Sequence, residues 1–428
     1  MTGARPTSPA AALADQLGAS ADADPAACQA WALAGMVPAL VARPTDAAEV
    51  AATVAAAAHC GAALVPLGRG AHRTLGHSPS RYDLALVTER LARVRDYTPA
   101  DMTVTVEAGT TVVELDALLA REGQWLPIEP PLPDRTTVGG LLAADLAGPL
   151  AASQGRARDF VIGIEVVTAA GVLARAGGRV VKNVAGYDLM KLFIGSLGTL
   201  AVLTEVTFKV RPRPEAQRAL VFRARDVAAA VDVAAAVASG ESGALAVVAS
   251  ADADGARVLV RLGGVAADVA AAVAHVVSLA CAAGAELERD GAETDPGMAA
   301  LIASARDFTA CAIGDLVVRL ASVPSRLPAL ISATNGGVPD VAAWRVDALR
   351  GTLNVALVTE HAVAMLAALA GIADRHAAHL VVERWPLHVA GSIVVWHPIP
   401  TAFPLMQRMK RALDPTGVFA AGRFVGGL

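Results

Sequence analysis

Aromatic side chains make up only 4% of this 428-residue chain, and it has only four cysteines. The shortage of aromatics changes how the high hydrophobic content reads. Hydrophobic residues are 54% of the total and mean hydropathy is +0.49, but much of that is alanine, so the chain is rich in small side chains and not in lipid-facing ones. The longest candidate for a membrane span, residues 263–284, carries Asp268 and His275, which fits the polar stripe of an amphipathic helix. Cys28, Cys60, Cys281 and Cys311 are widely separated and form no CxxC, zinc or iron–sulfur spacing. Reduced structural thiols in a cytoplasmic protein are the expectation. There is no basic run, and a formal charge of −4 with a pI near 6.1 argues against a nucleic-acid surface. The first 25 residues lack a basic stretch followed by an apolar one, so no signal peptide is read there.

The length suggests two or three domains. Residues 1–37 read as a polar leader with short helices. From Val37 the pattern becomes strand–helix–strand: VPALVARP, a helix opened by Thr45 and Asp46 and stopped by Gly61, then AALVPLG. Such a unit favours parallel pairing. Strand pairs follow around residues 84–107, 158–177 and 198–214, with a helix over 112–122 and a proline-rich ordered loop at 127–140. Pro212 and Pro214 mark a boundary. Residues 215–400 alternate strands and helices as an α+β module with an antiparallel sheet and no phosphate loop. Residues 401–428 read as a basic amphipathic helix and a turn whose phenylalanines dock back on another domain.

Three glycine-rich loops stand out, because glycine costs backbone entropy and is concentrated where backbone must approach something closely. The first, PLGRGAHRTLGH at 66–77, places Gly68, Gly70 and Gly76 after a strand, so that its amides can converge on a diphosphate. It is not GxGxxG, because Arg73 stands at the third glycine position. The second, TTVGGLLAADLAGPL at 136–150, puts Gly139 and Gly140 before a short helix. Free amides favour an anion at such a point. Arg156, Arg158 and Asp159 follow as a small charged turn. The third, residues 177–209, sets Lys182, Asn183, Gly186, Tyr187 and Asp188 before the GSLGTL turn at 195–200. Those donors suit flavin carbonyls and ring nitrogens.

These loops, in this order over residues 38–214, resemble the FAD-binding domain of the vanillyl-alcohol-oxidase/PCMH superfamily. Further blocks resemble the glycolate oxidase FAD-binding subunit family: IEPP at 128–131, TVGGLLAADLAGP at 137–149, RDFVIG at 158–163, KNVAGYDL at 182–189, GSLGTLAVLTE at 195–205, VRPRP at 210–214 and LDPTGVFAAGR at 413–423. The resemblance implies a two-subdomain FAD-binding domain with an α+β cap. It implies that Gly68, Gly70, Gly76, Thr137, Gly139 and Gly140 hold the FAD diphosphate. Gly163 and Ile164 would pass the adenine end, and Gly198, Thr199 and Leu200 would lie beside the ribityl chain and ring. Pro66, Arg69, Ala71, His72, Asp145, Gly148, Arg158, Lys182, Asn183, Gly186 and Tyr187 complete the implied cofactor set. His72 falls where some relatives attach flavin covalently, but Ala71 and Arg73 depart from those relatives, and noncovalent FAD is expected. Two further departures are visible. Ala420-Ala421 replaces an Asn-Pro pair, and Ala201 replaces a glycine.

The resemblance also implies a heteromeric glycolate dehydrogenase, with a larger flavin subunit and an iron–sulfur subunit as partners, acting on a small 2-hydroxy acid. Any membrane contact would come through those partners. Relatives that oxidise D-2-hydroxy acids carry a GDGNxH metal motif in the second domain, and the resemblance implies that the larger flavin subunit carries it. It is absent here, and His376, His379, His388 and His397 do not reproduce its order, so no metal is expected. Arg384 is the candidate to hold a carboxylate, with a surface pair to Glu383 as the plainer reading. The alternatives are a flavin-holding scaffold without chemistry of its own, or a self-sufficient flavin dehydrogenase.

Overall fold

The computed structural model describes residues 8–179, 187–308, 316–339, 341–358, 360–389 and 391–428. Lys182, Asn183, Gly186 and Cys311 lie outside the described residues.

The first sheet holds β1 (Ala21–Asp22), β2 (Leu40–Ala42), β3 (Leu64–Leu67) and β4 (Leu84–Val87) in the order β1-β2-β4-β3. Asp46 caps the helix Ala47–Cys60 by accepting from the Glu49 N–H at 2.9 Å, and Gly61 ends it at φ 65°. The strands β2 and β3 are indeed parallel, but each pairs with β4, which lies between them. The leading segment, with short helices at Pro9–Leu17 and Pro25–Gln29, joins this sheet. β1 pairs antiparallel with β2, and Leu13, Cys28 and Leu33 are buried in the cores of this sheet. Burying these apolar side chains offsets the cost of ordering so polar a segment.

The second sheet contains β5 (Val94–Thr98), β6 (Thr103–Glu107), β8 (Val161–Val167), β9 (Leu173–Gly177) and β10 (Val202–Lys209), antiparallel in the order β5-β6-β10-β8-β9. The short β7 (Gln124–Trp125) pairs with β11 (Arg211–Pro212). A full capping box, Thr111 with Glu114, starts the helix Val112–Ala120 that covers this sheet.

The third sheet has nine strands: β12 (Ala216–Ala224), β13 (Ala246–Asp252), β14 (Gly255–Gly264), β15 (Glu286–Ala292), β16 (Leu316–Ala321), β17 (Val341–Asp347), β18 (Thr352–Leu357), β19 (His379–Arg384) and β20 (Trp396–His397). Their order is β15-β12-β14-β13-β17-β18-β16-β19-β20, with antiparallel neighbours throughout. The helices Val227–Ser239, Ala266–Ala282, Leu327–Gly337 and Ala362–Arg375 pack on one face. The other face meets the first half of the chain. Buried Arg261 on β14 pairs with Glu129 and Glu293, Arg350 donates to the Ala147 carbonyl at 3.0 Å, and Thr74 Oγ1 donates to the Glu383 carbonyl at 2.9 Å.

The tail returns to the first sheet. After the helix Phe403–Leu413, Leu64 N–H donates to Val418 O and Ala420 N–H donates to Leu64 O, each at 2.8 Å. The free edge of β3 is thereby covered, and Phe419 is fully buried. Among the described residues no helix is long and apolar enough to cross a membrane.

Candidate functional site

The three glycine loops meet in one cleft of about 840 Å³, open to solvent. A Cβ on Gly68 would collide with the Thr137 side chain, so the first and second loops touch through that glycine. A Cβ on Gly198, at φ 70°, would sit 3.1 Å from Pro66, so the third loop is packed on the first. Gly76 packs against the Arg423 carbonyl and Leu197. This cradle exists only because side chains are missing from it.

The loops differ in what they offer. The N–H groups of Gly68, Arg69, Gly70, Ala71 and His72 make no hydrogen bond within the described residues, and neither does that of Gly198. Runs of open amides in a turn are the donors from which anion sites are built. The second loop corrects the expectation of free amides. Val138 N–H donates to Thr110 O at 2.8 Å, Gly139 N–H to Ala108 O at 2.7 Å and Gly140 N–H to Thr137 Oγ1 at 3.1 Å. Its glycines therefore serve close approach, because Gly139 lies against Ala108.

Charge in the cleft has one sign. Arg69, Arg73, Arg135 and Arg423 line it, and among the described residues no Asp or Glu does. Arg69 pairs at 3.4 Å with Glu114 outside it. His72 also lines the cleft, and its Nε2 lies 2.7 Å from Thr136 Oγ1. That hydroxyl gives its own hydrogen to the Pro131 carbonyl at 2.7 Å, so it accepts from His72 Nε2–H. Nδ1 is left as the acceptor nitrogen. Burial pushes the His72 imidazole down to about 4, against a raising effect from Glu383, so it is neutral at pH 7.

Facing this edge of the cleft is a polar row on the third sheet. Arg345 on β17 donates to Asn354 Oδ1 on β18 at 3.0 Å, Asn354 Nδ2 donates to Glu383 Oε2 at 3.1 Å, and Arg319 Nε on β16 donates to Glu383 Oε1 at 2.8 Å. Val317 pairs with Arg384 and Val318 with Val382, so Glu383 is the extra residue of a bulge. Such a bulge re-aims a side chain, here toward Arg319. Arg384, half-buried, follows directly. Behind the row lie Asp145, Arg156, Asp347 and Arg350. Burial pushes the Asp347 carboxyl up to about 6 and the Arg350 guanidinium down to about 10, so their mutual attraction does not offset the cost of burying them.

Of the sequence-derived residues, Pro66, Gly68, Arg69, Gly70, Ala71, His72, Thr137, Gly139, Gly140 and Gly198 line the cleft. The others do not. Asp145 pairs with Arg156 at 2.7 Å, Gly148 is packed on the Glu129 carbonyl, and exposed Arg158 gives its carbonyl to Lys191. Gly163 and Ile164 are interior to β8, with Ile164 in its core. Thr199 Oγ1 donates to Ser196 O at 2.7 Å, and Leu200 packs on the same core as Ile164. Tyr187 is 92% exposed, away from the cleft. Arg135, Arg319, Arg423 and Lys410 were not singled out from the sequence, since no local spacing marks them.

Residues 38–177 match a family model described as "FAD binding domain". Residues in this chain are 48% identical over 126 positions to glycolate oxidase subunit GlcE of Escherichia coli (strain K12), covering 29% of this chain and 36% of that protein. They are 34% identical over 167 positions to glycolate oxidase subunit GlcD of Bacillus subtilis (strain 168), covering 39% and 36%, and 33% identical over 175 to D-lactate dehydrogenase of Archaeoglobus fulgidus, covering 41% and 39%. The matched region thus spans little more than a third of each relative. Across the whole chain the fold is like that of 4-ethylphenol oxidase from Gulosibacter chungangensis (TM-score 0.73, 14% identity, 97% and 96% covered) and p-cresol methylhydroxylase (0.72, 16%, 97% and 96%). Residues 38–177 thus match an FAD-binding-domain model, and the α+β fold of the whole chain is like that of these two proteins.

Proposed function

We propose that this chain holds FAD noncovalently and serves the oxidation of a small 2-hydroxy acid such as glycolate, as the smaller flavin subunit of a heteromeric glycolate oxidase. The observation that carries the reading is the cleft: six open backbone amides and four arginines, with no carboxylate among the described residues lining it, suit a dinucleotide's diphosphate, and its mouth faces the polar row of the third sheet. When bound, FAD would supply the two-electron acceptor. The chain's own residues would supply the rest. Neutral His72 offers Nδ1 to the substrate hydroxyl proton. Arg319 offers its terminal amino groups to the substrate carboxylate, and Glu383 orients it. The block similarity to the GlcE subunit supports the placement in a complex whose iron–sulfur partner takes the electrons.

A second reading, a flavin-holding scaffold, is favoured by Ala420. It stands where relatives of this type carry a side chain that approaches the flavin, and its methyl group has no donor to offer. Purification of the chain alone, a flavin absorption spectrum and anaerobic addition of glycolate separate the two. Bleaching supports catalysis by this chain. A stable yellow protein supports the scaffold, and a colourless one defeats both. Identification of co-purifying subunits tests the complex.

A further inference from the structure

Arg423 lies far outside the region that the FAD-binding family model matches, yet it lines the cleft. It is 5% exposed, and no Asp or Glu among the described residues comes within ion-pair distance of it. The other buried arginine among the described residues, Arg261, has Glu129 and Glu293. Arg423 Nη2 instead donates to two carbonyls of the first glycine loop, Leu75 O at 2.6 Å and Arg73 O at 3.3 Å. The loop answers in kind, with His77 N–H donating to the Arg423 carbonyl at 3.0 Å.

Backbone carbonyls satisfy a guanidinium's hydrogens but not its charge. A buried cation without a counter-ion is costly, and the desolvation acts here with nothing but the neutral Tyr82 phenol nearby to oppose it. A fold keeps such a group where a ligand completes it. Among the described residues no carboxylate lines the cleft beside Arg423; its polar lining is arginines, open amides, neutral His72 and the hydroxyls of Thr88, Thr136, Thr137 and Ser196, so the missing partner is an anion. The hydrogen bonds of Arg423 to Arg73 and Leu75, directly after the five open amides of residues 68–72, point it to the same anion.

We propose that Arg423 is a cofactor-binding residue whose buried guanidinium supplies the counter-charge for the FAD diphosphate, so that the tail completes a site begun 350 residues earlier. The proposal rests on reading the cleft as an FAD site. It treats the first glycine loop and the tail as one unit, shaped by Arg423 through Arg73 and Leu75 and neutralised by the ligand.

The test uses the full chain stripped of flavin and titrated with FAD and with riboflavin, which has the ring but no phosphate. The variants are Arg423→Gln, which keeps a donor for the Leu75 carbonyl without charge, and Arg423→Lys, which keeps the charge. Arg423→Gln is expected to weaken FAD binding roughly 30- to 100-fold, in line with a charge-assisted bond, while riboflavin affinity stays within about threefold. Arg423→Lys should keep most of the FAD affinity, and flavin-free Arg423→Gln should melt no lower than the flavin-free parent. Unchanged FAD binding by Arg423→Gln would overturn the proposal, as would an equal loss for FAD and riboflavin, which would assign the residue to the ring or to loop shape alone. Should Arg423→Gln not fold, Arg423→Lys decides: loss of FAD binding in a folded Lys variant counts against the proposal. A parent chain that takes up no FAD defeats the cofactor reading itself, a separable result.

Discussion

The Lys410 ammonium donates to the Thr199 carbonyl at 2.7 Å, joining the last helix to the third glycine loop across 211 positions of sequence. The same ammonium pairs with Asp414 Oδ2 at 2.6 Å and donates to the Phe419 carbonyl at 2.9 Å. Asp414 has no exposed side-chain surface and also accepts from the Val418 and Phe419 amides. Replacing Lys410 with Met would leave that carboxylate buried and uncompensated. We expect a loss of about 3 kcal/mol in urea unfolding and weaker flavin retention. Lys410→Met combined with Asp414→Asn should recover part of the stability but not the flavin, since the hold on Thr199 stays broken. Full recovery of both would show that Lys410 acts only on Asp414.

His72 sets a pH dependence. Its folded-state value of about 4 lies below the ordinary imidazole value, chiefly through burial. The neutral form is thus favoured in the fold. Its stabilisation is complete above about pH 6.5 and is lost as pH falls from there toward 4. The parent chain should lose about 3 kcal/mol over that window from this group, and His72→Gln should flatten that part of the stability curve. An equally steep curve in the variant would mean that other groups dominate.

Ala420 occupies left-handed backbone at φ 39° while fully buried. An L-residue pays about 1–2 kcal/mol for that conformation, and glycine's greater unfolded-state freedom costs part of this back. Ala420→Gly should therefore raise unfolding stability by about 0.5–1 kcal/mol, measured by thermal or urea denaturation. A lower melting temperature would show that the buried methyl group contributes more than the backbone strain costs.

Arg319 and Glu383 predict a separation of effects on the proposed reaction. Arg319→Met should raise the apparent KM for glycolate about 100-fold with flavin content unchanged, and Arg319→Lys should fall between it and the parent. Glu383→Gln keeps a hydrogen-bond partner for Arg319 and should raise KM about tenfold or less. An unchanged KM in Arg319→Met would remove this residue from the substrate site.

The sequence made the first loop legible because glycines after an apolar strand have few other uses, and Thr137 was legible as the residue ahead of a glycine pair. It misread the amides of that second loop, because their acceptors, Ala108 and Thr110, come from a neighbouring turn that no local pattern announces. The Arg319–Glu383 pair depends on the offset between β16 and β19, and a one-residue bulge is invisible in composition. Arg384, chosen from sequence as the carboxylate anchor, is the immediate neighbour of the residue that the bulge turns toward Arg319. Lys410 and Arg423 reach their partners through the folded-back tail, a contact that only three-dimensional packing reveals. The tail's docking itself was foreseeable from its phenylalanines, and Phe419 is buried in the first sheet's core.

Phe419 and its neighbours run beside β3 as a surrogate strand. A fragment cut at residue 214 would therefore expose the side of Leu64–Leu67 and empty the space that the phenylalanine ring fills. The matched stretch, residues 38–177, lacks the tail as well, so it is a unit of resemblance and not one that can be excised and expected to keep its fold.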